Sequence, residues 1–209
     1  MESRFFATYP KAEARLAYTL RSRGDLPVSN MAIWQYRLTM IPEAALLSQY
    51  AVLPLTIPME LAENFPWWSG VQPAFGFEQH IALILPAATS WSTSMRMWGH
   101  EETDDAYVCY EDESKATVEE VSFRIDARTI SPALVREICT LARELRCVLM
   151  TSEYEILAPD ESMVLTNLKH STAKKFVEDP ISTLQGLDQK KIQERANYIT
   201  KSSKADPPR

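Results

Sequence analysis

Glycine is scarce in this chain, with five residues in 209. Neither G-x-x-x-x-G-K nor G-x-G-x-x-G occurs, which removes the two common backbone cradles for nucleotide phosphates. Cysteine is scarce as well: Cys109, Cys139 and Cys147 are odd in number and show no C-x-x-C spacing. That pattern argues against a disulfide scaffold or a zinc ribbon, and fits small core residues in a reducing, cytoplasmic setting. No apolar run approaches the roughly 18 residues that span a bilayer; the longest, IALILPAA at 81–88, is interrupted by Pro86. The opening residues carry no apolar segment of signal-peptide type. His80, His100 and His170 include no i, i+4 pair, and HEETDD at 100–105 lacks the glycine-pivoted carboxylate spacing of a calcium loop. No metal and no other cofactor is expected.

What the chain has is apolar material and unevenly placed charge. The hydrophobic share is 45%, with five Trp, eight Tyr and seven Phe, enough for one core in a chain of this length. Residues 1–30 and 186–209 together carry a net charge of +5, whereas residues 31–185 carry −11. An acidic body disfavours nucleic acid, whose phosphates need lysine and arginine, and attracts a basic protein surface at long range. The excess concentrates at 101–120, where nine residues are Asp or Glu and only Lys115 is basic. Such a cluster repels itself. It reads either as a surface that steers a basic partner or as a solvated turn kept for solubility.

Periodicity divides the chain into an N-terminal extension with a short helix (1–30), a globular domain (31–187) and a polar tail (188–209). In MAIWQYRLTMIP, Ile33, Gln35, Arg37 and Thr39 alternate with Trp34, Tyr36, Leu38 and Met40, as in a strand. Pro42 and Pro58 mark the starts of two short helices. FPWWSGVQPAFGF is an ordered loop or helix end whose rings cover the core. QHIALIL at 79–85 suits a buried strand or a helix segment, and is counted as a strand in the element order. WSTSMRMW, AYVCYED and TVEEVSFRIDAR form an antiparallel meander. A helix opens at Ser131 and Pro132 with Leu134, Ile138, Leu141 and Leu145 on one stripe. CVLMTSEYEILAP returns as a strand, and Asp160 caps one long final helix that Pro180 ends or bends. The order β-α-α-β-β-β-β-α-β-α predicts an α+β single domain, a mostly antiparallel sheet with helices packed on one face.

Chemistry-bearing residues crowd into WSTSMRMWGHEETDD, 91–105. A hydrolase would use Ser92 or Ser94 with His100 and Asp104 or Asp105, or the two aspartates as a carboxylate pair. No glycine flanks either serine to make a nucleophile turn, so the simpler reading is a strand with Trp91, Met95 and Met97 inward and Ser92, Ser94 and Arg96 outward. Lys174 and Lys175 near His170 read as a solvated helix face.

WSTSMRMWG, VSFRIDAR, LVREICTLARELRCVLM and the ending STAKKFVEDPISTL (Ser171 to Leu184) resemble small stand-alone bacterial proteins, many of them immunity proteins paired with polymorphic or secretion-delivered toxins. The resemblance covers about half the chain. It implies a non-catalytic protein that binds and neutralises one cognate toxin, a basic protein partner rather than nucleic acid or membrane. Glu101, Glu102, Asp104, Asp105, Asp112 and Glu113 are then the expected contact residues. A small hydrolase using Ser94 and His100, and a regulatory interaction module, are the competing readings.

Overall fold

In the computed structural model residues 32–187 are described; the short helix expected within 1–30 and the tail 188–209 lie outside them. Seven strands make one antiparallel sheet: β1 (Gln35–Pro42), β2 (Ala87–Ala88), β3 (Met95–Gly99), β4 (Asp105–Tyr110), β5 (Val118–Asp126), β6 (Cys147–Thr151) and β7 (Ile156–Leu157). They lie in the order β2-β3-β4-β5-β1-β6-β7. Three consecutive hairpins build one half, and β1 then inserts between β5 and β6, so the first strand becomes central. With the helices below, this is the expected α+β domain.

Helices α1 (Glu43–Leu47) and α2 (Met59–Asn64) each begin immediately after a proline, Pro42 and Pro58. Proline has no N–H to leave unsatisfied, which suits it to a helix start. The main helix, α4 (Pro132–Glu144), takes Ser131 as N-cap, its side chain accepting from the Leu134 N–H; it buries Leu134, Val135, Ile138, Cys139, Leu141 and Ala142. α4 packs against β6 and against α5 (Glu161–His170). The Tyr36 hydroxyl of β1 donates to Asn167 of α5 at 2.8 Å, which identifies the face of β1 carrying Tyr36, Leu38 and Met40 as the one beneath these helices. Trp67 and Trp68 of the aromatic loop are buried in the same core cluster.

Several local expectations change. The 79–85 run is helical: α3 (Phe77–Ile84) enters from Gly76 at φ +86°, and Ile81 is its buried residue. One apolar stripe, rather than two buried faces, is what the run supplies. The strand expected from Trp91 starts only at Met95, because the serines bond locally. Ser90 Oγ donates to the Ser92 carbonyl, and the Ser94 N–H donates to Ser92 Oγ, an alternative to ladder pairing. Trp91 consequently faces solvent at 61% exposure instead of the core. The expected final helix divides at Ser171, whose hydroxyl accepts from the Lys174 N–H and opens α6 (Thr172–Glu178). Finally, 147–157 forms a hairpin, β6–β7, turning near Tyr154 at φ +62°.

The opposite sheet face joins a small buried apolar cluster, Met95, Met97 and Cys109, to a polar network, while Trp98 turns to the helix-covered core. Cross-strand pairs Thr39–Ser122, Arg37–Arg124, Tyr107–Ser122 and Asp105–Arg124 bring these side chains to one face. Glu120 Oε1 accepts from the Tyr107 hydroxyl at 2.9 Å and the Ser122 hydroxyl at 2.6 Å, and pairs with Arg37. Arg37 and Arg124 both stack on the Tyr107 ring, at 5.7 and 5.9 Å from its centroid. Burial alone would lower the Arg37 pKa, but Glu120 outweighs it and holds the guanidinium charged. Burial, with Glu120 beside it, pushes the Tyr107 phenol well above its usual range.

Candidate functional site

β4 lies between the two groups of acids in 101–120. One group sits in the β3–β4 turn, the other in the β4–β5 turn, and six residue steps at about 3.3 Å put Asp105 and Glu111 roughly 20 Å apart. The six expected contact residues therefore do not form a single patch.

The β3–β4 turn is tied to the sheet. Gly99 at φ +80° opens it, and a Cβ there would lie 2.3 Å from the Asp104 carbonyl oxygen, so only glycine fits. Gln35 Nε2 donates to the carbonyls of Glu101 and Thr103 at 2.7 and 3.1 Å, and Arg128 donates to the Glu102 carbonyl. Asp104 Oδ1 accepts the Asp126 N–H at 2.8 Å. Asp105 is 1% exposed and takes a two-point hydrogen bond from Arg124. Burial dominates for both aspartates and raises their carboxyls, although the Asp126 N–H and Arg124 pull the other way. Asp105 thus belongs to the polar network of that sheet face and leaves the contact surface. Of the four expected residues here, Glu101 and Glu102 are exposed.

The β4–β5 turn is different. Glu111, Asp112 and Glu113 are all exposed, and among the described residues none of the three makes an ion pair. Asp112 shapes the turn by accepting from the Ser114 hydroxyl and N–H, which holds its carboxyl below the ordinary value. Lys115 supplies the left-handed residue at φ +57°. Glu113 accepts from the Thr93 hydroxyl at 2.7 Å, and the Tyr110 N–H donates to the Ser94 carbonyl. These two bonds bring the 91–94 segment, and exposed Trp91 with it, beside the acidic turn. Glu78 of α3 pairs with Arg96 and feels the charge of Lys115, so α3 starts at the same end of the sheet. Phe75, just before it, is fully exposed.

The hydrolase arrangement is not assembled. Ser94 precedes β3 and His100 follows it, again about 20 Å apart along an extended strand. The Ser94 hydroxyl lies 3.1 Å from that of Ser92, while His100 Nδ1 accepts the Glu102 N–H. Asp105 is committed to Arg124, which leaves no carboxylate pair. Cys139 and Cys147 are free and buried, and burial raises their thiols to about 11 and about 12. Lys174 pairs with Glu178 at 3.8 Å on an exposed helix face. Among the described residues no group of three or more His, Cys, Asp or Glu is placed to hold a metal ion, and no helix is long and apolar enough to cross a membrane.

Sequence reasoning missed two features. Alternation alone places Trp91 inward, whereas the serine spacing S-x-S-x-S at 90–94 is the signal that marks a locally bonded segment. The polar network was visible only as alternation within β1. Scans of family models, of curated proteins and of solved structures find no match.

Proposed function

We propose that the chain is a non-catalytic, immunity-type protein of the bacterial cytoplasm that binds one cognate toxin, with the β4–β5 turn facing a basic cleft. The observation that carries this reading is the exposure of Trp91, two residues from Thr93, whose hydroxyl donates to Glu113. An aromatic side chain that desolvates at the centre of a contact is the usual source of binding energy, and the unpaired acids around it accelerate encounter with a positive surface. Glu101 and Glu102 lie at the far end of β4 and add long-range field rather than contact.

The test uses a toxin encoded by an adjacent reading frame. Co-expression of this chain should relieve the toxin's growth arrest, and purified toxin and chain should form a complex whose association rate falls steeply with salt. Trp91→Ala combined with Glu111→Lys and Glu113→Lys should abolish relief while thermal unfolding is unchanged. Full relief by that triple variant would refute the surface. Retained toxicity with the parent chain would refute the pairing.

A further inference from the structure

We infer that residues 10–23 of this chain dock as a helix across β5, β4 and β3 and cover the buried cluster of Met95, Met97 and Cys109. The surface is separate from the toxin contact, and the inference does not rest on that reading. The three side chains are 7%, 8% and 6% exposed, and among the described residues the apolar side chains packed against them are Ala88 and Tyr107. The pairings Met95–Cys109, Met97–Tyr107 and Ala88–Met97 place all five on one face of the sheet. A single layer of side chains cannot close over itself, because neighbours about 4.8 Å away shield its flanks and leave its tips in water. Burial to this depth needs a second apolar layer. Helices α4 and α5 supply one on the other face, where Trp98, Val108 and Tyr110 join the main core.

Pattern and attachment select the occupant. In PKAEARLAYTLRSR, Ala12, Leu16 and Leu20 recur at i, i+4 and i+8 and form one apolar stripe of a helix, with Lys11, Arg15 and Arg23 along the neighbouring stripe. The segment joins the domain at β1, the central strand. There the Gln35 N–H donates to the Ala32 carbonyl at 2.8 Å, a turn that sends the incoming chain back towards the sheet. Strand order puts β3 three strands from β1, about 14 Å away, and a helix over 10–23 is about 21 Å long. It therefore spans the cluster. The tail 188–209 comes from the wrong side: α6, which precedes it, starts beside the β6–β7 turn, where the Thr172 hydroxyl donates to Glu153, across β1 from β3.

Charge agrees with this choice. Residues 1–30 carry five basic and three acidic side chains, whereas residues 31–185 carry a net −11, so the segment is attracted to the body it would cover. Glu120, the register partner of Cys109, stands at the edge of the cluster, on the side a basic stripe would meet. A second copy would instead bring one acidic body against another. The N-terminal extension is then the missing half of the sheet's cover and part of the domain.

Cys109 is the reporter. In the full chain its thiol should react with a maleimide as slowly as those of buried Cys139 and Cys147, read by peptide mass spectrometry. Leu16→Glu with Leu20→Glu should speed labelling of Cys109 by about tenfold or more, since local opening sets the rate, and leave Cys139 and Cys147 unchanged. Ile192→Glu with Ile199→Glu in the tail should change none of the three. A benzoylphenylalanine photo-crosslinker in place of Leu16 should attach to residues of β3 or β4 within the same chain. Should the Leu16 and Leu20 pair expose all three cysteines by unfolding the domain, the crosslink decides. Fast labelling of Cys109 in the parent, no response to that pair, or release of Cys109 by the tail pair overturns the inference. So do crosslinks that map elsewhere or to a second chain.

Discussion

The two turns that flank β4 carry the same kind of residue and do opposite things with it. At the β3–β4 turn an aspartate enters the strand, is buried, and joins an arginine that stacks on Tyr107. At the β4–β5 turn three consecutive acids point into water beside an exposed tryptophan. Position relative to the ladder decides the difference. Asp105 sits inside the hydrogen-bonded register opposite Arg124, whereas Glu111 to Glu113 fall beyond its last pair, Tyr110–Val118. Asp105, paired within the sheet, becomes structure, and Glu111 to Glu113, past its end, become surface.

The largest effect that would break this contrast is loss of the buried partner. Asp105→Ala leaves Arg124 buried without its carboxylate and should destabilise the fold by about 3–5 kcal/mol, read from urea unfolding, while Glu113→Ala should leave the urea midpoint unchanged. Equal effects at the two ends would erase the distinction. Gly99→Ala comes next. It forces a side chain into the left-handed region and against the Asp104 carbonyl, with a cost of about 1–3 kcal/mol.

The contrast is sharpened from the other side by binding. Given the toxin partner, Trp91→Ala should weaken the complex by about 2 kcal/mol or more, mainly through faster dissociation. Reversing Glu111 and Glu113 should slow association at low salt by about tenfold, and reversing Glu101 and Glu102 by less. Surface plasmon resonance at two salt concentrations separates these, and a larger effect at Glu101 and Glu102 would move the contact to the wrong end of β4.

How much of this was readable beforehand follows from the same physics. The antiparallel meander was legible because WSTSMRMW, AYVCYED and TVEEVSFRIDAR each read as strand-like runs separated by polar turns, although the first strand begins only at Met95. α4 was legible because Ser131, Pro132 and a leucine stripe agree with one another. The sign of the surface was legible from composition. The division of the acids was not, since burial of Asp105 depends on Arg124 lying opposite it, nineteen residues away; cross-strand register is a tertiary fact. α3 was ambiguous because a short apolar run fits both a strand and a one-sided helix. Trp91 was misplaced because alternation was extended through serines that bond to their own backbone.

The smallest effect is a difference in titration, and its sign differs between the two ends. Burial raises the folded-state pKa of Asp104 and Asp105 above the ordinary aspartate value of 3.8. Any stability they contribute through protonation is complete below that value and is lost as pH rises through their raised folded values. Asp112 is held lower by Ser114; its contribution is present above 3.8 and is lost as pH falls through its lowered folded value. Carboxyl-carbon NMR should therefore find Asp112 ionising first and Asp104 and Asp105 later as pH is raised. Asp104→Asn keeps the acceptor for the Asp126 N–H while removing the charge, so the parent's stability relative to this variant should decline from pH 4 towards neutrality. With Asp112→Asn the corresponding difference should rise as pH climbs through the acid range. Slopes of the same sign would mean that both turns present their carboxyls to water alike, and the ladder would no longer explain why only one of them is free to meet a partner.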